Sequence, residues 1–301
     1  MGRIQIALAL LCTLLWGSAY PGVKLGYEYF GIVGGSVGSK LLFAGLRFTA
    51  AGMLTILFAS IHNKSFAKPK RPEIKGIIIL GFVQTFVQYL FYYIGLSNTS
   101  GAKGAIIYSS GTFMSVVLAH FLCKDDNMTV PKAFGCLMGL IGIIIINTGN
   151  SLGGQMSVRG EGFMLIGALV FAIATILSKF IAAGQDPMTL TGYQMLFGGS
   201  SLAFVGVILG GKISTITGKG VILFFYLALL SAVAFSIWTM LLKENDVSKV
   251  SIYNSLMPVA GAVLSGVFLG EQIWSLKTVV AIMTVSLGIY IVNRKTVVKK
   301  I

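Results

Sequence analysis

Residues 107–113, IYSSGTF, are matched by residues 252–258, IYNSLMP, at an offset of 145. The same offset carries Asp126 onto Glu271 and Lys132 onto Lys277 without a gap. Nearer the N-terminus the offset becomes 155, where Lys24 meets Lys179, and then 147, where Arg47 meets Gln194. The chain therefore reads as one unit written twice, at residues 1–149 and 160–293, followed by a basic tail at 294–301. The shift from 155 to 147 puts eight extra residues in the first copy, within the glycine-rich GYEYFGIVGGSVGS at 26–39, which reads as an exposed connection.

Each copy carries five apolar runs. Of the 301 residues, 55% are hydrophobic and only 11% are charged, a composition of membrane proteins. About 20 apolar residues span a hydrocarbon core of about 30 Å. Runs near that length fall at 4–23, 41–61, 75–95, 101–122, 132–148, 161–179, 188–209, 220–242, 249–269 and 276–292, the fifth and tenth being the shortest. The expected fold is an all-α integral membrane protein of ten transmembrane helices. Five is odd, so the second copy enters the membrane upside down: two inverted five-helix repeats, as in secondary carriers.

Basic residues point the same way. With the N-terminus cytoplasmic, 15 lysines and arginines fall on the cytoplasmic side and 7 on the outer side, with Arg47 inside a span. Both termini are therefore expected in the cytoplasm, the protein being multi-pass in the cell membrane. The net charge of +14 is spread over the loops, and no nucleic-acid partner is expected. Arg3 with the following apolar stretch and Ser18–Ala19 also fits a cleaved signal peptide, but the later counterpart of this run favours a retained helix. Cys12, Cys123 and Cys136 have no metal-ligand spacing and read as small buried hydrophobes; no cofactor or metal is implied.

WGS at 16–18 leading into Lys24, LRF at 46–48, YNSLMPV at 253–259 and LGE at 269–271 resemble, in this order, the drug/metabolite transporter superfamily of EamA type. The resemblance covers nearly the whole chain and implies a ten-helix transporter, an exporter of a small organic metabolite. The first copy departs from the pattern: Phe113 stands where Pro258 stands in the second, and CKDD at 123–126 replaces LGE. Helix four is accordingly expected to be straighter than helix nine.

Candidate pathway residues are polar or aromatic side chains within the spans. Gln84 and Gln88 lie one turn apart and should face inward, because an unsatisfied amide against lipid costs several kcal/mol, on the order of 2–7. Tyr92 follows on the same helix. Helix four adds Tyr108 and Ser109, helix nine adds Tyr253 and Asn254, and helices one and eight add Trp16, Tyr20 and Trp238. Together these suit an apolar, aromatic-walled cavity for an amphipathic or aromatic compound, amino acids included. Taken singly, each reads more simply as helix–helix glue or core filling; the set as a whole reads as a pathway.

Arg47 lies about 10 Å below the outer end of helix two. It reads either as an anchor for a substrate carboxylate or as an arginine snorkelling outward toward Glu28. All nine acidic residues fall outside or at the ends of the spans. His120 is the only other candidate for proton coupling, and it reads more simply as an interfacial residue, so uniport or exchange is expected. Asp126 and Glu271 read as structural groups that stabilise the start of the next helix.

Pro21, within WGSAYPGVKLG at 16–26, should bend or end helix one near the outer surface, and Pro258 should bend helix nine. GCLMGLIG at 135–142 and GVFLG at 266–270 present small residues for close packing, in the bundle or across a homodimer. The lipid bilayer and a small-molecule substrate are the expected partners. An intramembrane enzyme would need a catalytic constellation inside the spans, and a pore would need rings of charge or a carbonyl filter. Neither is visible, so catalysis is not expected.

Overall fold

The computed structural model describes residues 1–32, 36–99, 101–124, 126–147, 157–269 and 276–294. These form ten helical segments: α1 (Arg3–Tyr29), α2 (Val37–His62), α3 (Arg71–Ser97), α4 (Gly101–Leu122), α5 (Val130–Asn147), α6 (Val158–Ala182), α7 (Pro187–Ile208), α8 (Gly218–Glu244), α9 (247–269) and α10 (Leu276–Asn293). Eight of them are long and apolar enough to cross a membrane. The apolar stretch of α5 is shorter, and α7 is diluted by Thr189, Thr191, Gln194, Ser200 and Ser201.

Local chemistry sets several boundaries. Pro187 opens α7, and the Asp186 carboxylate accepts from the Thr189 amide at 2.7 Å. Thr217 likewise caps α8 by accepting from the Gly220 amide at 3.0 Å. Ten traverses return the chain to the end where it began, with Gln5 of α1 donating to Glu244 of α8. At the opposite end Lys40 of α2 donates to Ser97 of α3.

Helix contacts follow a rule. α2 packs antiparallel on α7 and α5 on α10, while α1 packs on α8 and α9 just as α6 packs on α3 and α4. Similarly, α2 packs on α8 and α7 on α3. Adding five to each helix number maps this set onto itself. Glycine brings the central pair together: a Cβ on Gly45 would stand 2.2 Å from the Ala203 amide nitrogen, and one on Gly206 would stand 2.4 Å from that of Leu42. With no hydrophobic force to drive helices together in lipid, this backbone approach maximises dispersion contact. The 135–142 glycines serve the same purpose inside the bundle, where Gly135 and Gly142 face Val292 and Val285 of α10. Gly270 and Glu271 lie outside the described residues.

Proline acts differently in the two helices. α1 does not end at Pro21 but runs on to Tyr29, with Pro21 and Gly22 buried inside it. In α9, by contrast, residues Ile252–Ser255 tighten into a 3-10 turn between two α-helical pieces. Pro258 has no amide for the Asn254 carbonyl four residues back, and its ring crowds that turn. The corresponding α4 is α-helical throughout. A further irregularity lies in α3, where Gly81–Val87 form a π-helical turn that periodicity alone did not reveal.

Candidate functional site

A cavity of about 310 Å³ lies between α1, α2, α3, α4, α6, α8 and α9. Trp16, Tyr20, Gln84, Gln88, Tyr92, Tyr108, Ser109, Trp238 and Asn254 all line it, and so does Arg47. Tyr253 does not. The 3-10 turn directs it into a separate groove beside Ile6 and Leu10, while its neighbour Asn254 faces the cavity. Six further aromatic or polar lining residues were not singled out from sequence: Tyr27, Tyr89, Phe171, Thr175, Ser231 and Phe235. The signal existed on α3, where 84, 88, 89, 92, 93 and 96 share one helical face.

Aromatic edges build the walls. Trp16 meets Phe235 and Trp238 edge-on at 5.3 and 5.0 Å, and Tyr92 meets Tyr108 at 4.7 Å. Gln88 Nε2 donates to the Tyr108 hydroxyl at 2.8 Å, tying α3 to α4. The π-turn is held from behind, where Thr85 Oγ1 donates to Gln194 Oε1 at 2.7 Å on α7. Gln84, next in the chain, is thereby presented to the cavity.

Several lining groups are buried with no protein partner: Trp16 Nε1, Arg47 Nε, Gln84 Oε1, Gln88 Oε1 and Asn254 Nδ2. Three are donors and two are acceptors. A buried polar atom left unpaired costs about 1–3 kcal/mol, so such a set favours a bound solute or water. Arg47 does not snorkel toward Glu28. It is only 5% exposed, its guanidinium lies 4.4 Å from the Phe48 ring, and among the described residues no carboxylate pairs with it. The described lining holds Arg47 and Lys24 and no carboxylate.

The cavity reaches Tyr27 near the far end of α1 and Leu96 near that of α3, and on the terminal side it runs to Trp16 of α1, Thr112 of α4 and Leu242 of α8. Polar clamps join the helices at the terminal end. Asp126, in the α4–α5 connection and 2% exposed, accepts from the Ser248 amide at 2.8 Å, from the Ser248 hydroxyl, and from Lys132 Nζ at 2.6 Å. It does stabilise a helix start, but that of α9, which its own Asp246 leaves without a side-chain cap. Burial works to raise the Asp126 pKa, yet Lys132 and Ser248 outweigh it and hold the carboxyl below its ordinary value of 3.8. Lys179 Nζ donates to the carbonyls of Leu242 and Asn245 at 3.2 and 2.6 Å, closing the end of α8. His120 is exposed at this same end, accepting from the Met128 amide at 3.1 Å, outside the cavity.

The EamA-like transporter family matches two stretches of the chain, residues 3–148 and 158–294. A chloroplastic WAT1-related protein of Arabidopsis thaliana is 27% identical over 92% of this chain and 66% of its own length. An uncharacterized transporter of Archaeoglobus fulgidus is 26% identical over 96% of this chain and 98% of its own. The uncharacterized inner membrane transporter YedA of Escherichia coli K12 is 24% identical over 95% and 91%. One crystal structure shares the fold with a TM-score of 0.80 at 18% identity, over 97% of this chain and 99% of that one. With a polar-studded cavity inside a bundle of apolar helices and the family pattern over both stretches, the chain belongs to the EamA-like transporter family and is a multi-pass membrane transporter.

Proposed function

We propose that the protein is a secondary transporter, exporting a small amphipathic or aromatic organic metabolite, amino acids included, by alternating access. The observation that carries this reading is the aromatic cavity with five unpartnered buried polar atoms and an unpaired arginine. Trp16, Tyr20, Tyr92, Tyr108 and Trp238 supply flat apolar surface; Gln84, Gln88, Ser109 and Asn254 supply orientation; Arg47 binds a carboxylate or similar anion. A substrate bearing both an amino and a carboxyl group would use the amide oxygens and the guanidinium together.

The two halves are read as inverted repeats. The antiparallel α2–α7 and α5–α10 pairs, the contact set preserved on adding five, and the two family-matched stretches support it. Exchange of conformation between the halves would close the far end and release the clamps at the terminal end. Termini in the cytoplasm of the cell membrane follow from the lysine distribution, and export follows from the family resemblance. With no carboxylate in the described lining, uniport or exchange is the coupling expected.

The test is flux from reconstituted vesicles, screened over amino acids, aromatic acids and organic cations. Trp16 and Trp238 provide an independent binding signal through their fluorescence. Saturable flux of an anionic or zwitterionic aromatic compound supports the reading. Flux of cations only, or no ligand-dependent quenching for any compound that is transported, refutes the assignment of this cavity.

A further inference from the structure

A second concavity, of about 440 Å³, lies between α1, α9 and α10 near the terminal end of the bundle, and Tyr290 on its α10 wall is 64% exposed. Its walls are apolar, formed by Ile6 and Leu10 of α1, Leu256 of α9 and Ile289 of α10. On α10 the lining residues run from Ser286 to Arg294 along one face, about 12 Å of helix. That approaches the roughly 15 Å hydrocarbon depth of a single leaflet. A groove of this kind in a membrane-spanning protein faces acyl chains, not water.

The groove has chemistry at the end where lipid headgroups would sit. Arg294 lines it, is exposed, and has no carboxylate partner among the described residues. Beside it, Asn293 donates through Nδ2 to the Ile289 carbonyl at 3.1 Å, which leaves its Oδ1 buried and without a donor. A cationic guanidinium next to an unfilled acceptor suits a phosphate diester carrying a hydroxylated headgroup. The phosphate would meet Arg294, and a headgroup hydroxyl would donate to Asn293.

We propose that this groove is a binding site for an anionic glycerophospholipid, one acyl chain lying along Ile6, Leu10, Leu256 and Ile289, the headgroup held by Arg294 and Asn293. The α9 wall gives occupancy a consequence. Tyr253, in the 3-10 turn of α9, faces the groove, and the adjacent Asn254 faces the transport cavity. A chain seated against Tyr253 braces the turn that Pro258 weakens, so the lipid stabilises one setting of the cavity wall. The site does not depend on the identity of the transported compound.

The full-length protein is tested in detergent, with dioleoylphosphatidylglycerol, dioleoylphosphatidylcholine and glycerol phosphate as probes. Native mass spectrometry should retain one phosphatidylglycerol per chain at least tenfold better than phosphatidylcholine, and glycerol phosphate should not be retained. Arg294→Gln with Asn293→Leu should remove that preference while the protein stays folded. Hydrogen exchange over residues 250–258 should slow with phosphatidylglycerol in the wild type only. Equal retention of both lipids, or retention unchanged in the double variant, overturns the site. Retention without protection of 250–258 overturns the coupling to the turn.

Discussion

Asp126→Ala is the most direct perturbation of the polar clamps at the terminal end. The carboxylate links the α4–α5 connection to the first turn of α9 and is paired with Lys132, whose side chain is 12% exposed. Removing one partner of a buried, hydrogen-bonded pair costs about 3–5 kcal/mol, part of which is the uncapped helix start, worth about 1 kcal/mol by itself. Lys132 retains some solvent and the Asn127 carbonyl at 2.9 Å, so the lower end, about 3 kcal/mol, applies. At about 1.4 kcal/mol per tenfold, the population open at the terminal end rises on the order of a hundredfold.

A native reporter lies beside the clamp. Cys123 is only 5% exposed, and burial pushes its thiol pKa up, so it should react slowly with a membrane-impermeant maleimide. In Asp126→Ala, labelling of Cys123 from the terminal side, followed by peptide mass spectrometry, should accelerate by at least tenfold. Asp126→Asn, which keeps one acceptor for Ser248, should fall between. Unchanged labelling in a folded Asp126→Ala protein would refute the idea that this carboxylate holds the end shut. The same group sets an acid limit. Its folded pKa is depressed, so its contribution is complete above the unfolded value of about 3.9 and is lost as pH falls through the folded one. Thermal stability should therefore be insensitive to Asp126→Ala only at strongly acidic pH.

Other consequences are as concrete. Arg47→Gln should weaken binding of a carboxylate-bearing substrate by tenfold or more, read by tryptophan quenching, while leaving that of its amide or ester analogue nearly unchanged. Gln88→Ala should lower flux without loss of membrane insertion, whereas Tyr253→Ala should affect the groove and the α9 turn without changing the cavity's ligand preference. Gly45→Val should abolish folding or cost well over about 3 kcal/mol, because even its Cβ would meet the Ala203 amide nitrogen at 2.2 Å; a stable variant detected by size-exclusion would contradict the α2–α7 contact. Single cysteines near Lys68 and Lys219 should label from opposite sides of the membrane, and same-side labelling would contradict the topology.

The helices were legible because twenty apolar residues have only one economical conformation in lipid, with every backbone bond satisfied internally. Gln84 and Gln88 were legible as inward-facing for the same reason: amides are costly against hydrocarbon. Their burial agrees with that reading. Pro21 misled at the level of the helix end, since α1 continues through it to Tyr29. A proline that loses one hydrogen bond can remain in a helix where neighbouring helices pack around it, as they do around the buried Pro21 and Gly22.

Periodicity and cost in lipid thus determined, from the amino acids alone, that this chain is a ten-segment membrane protein and which polar side chains avoid the lipid. Only the tertiary structure decided which of them share one space. It turned Asn254 into the cavity and Tyr253 away from it, left Arg47 without a carboxylate among the described residues, and brought Asp126 to the start of α9. Those choices depend on a π-turn in α3, a 3-10 turn in α9 and contacts between residues more than a hundred positions apart. A regular 3.6-residue repeat carries no information about where its own regularity breaks, nor about which distant helix will face the break.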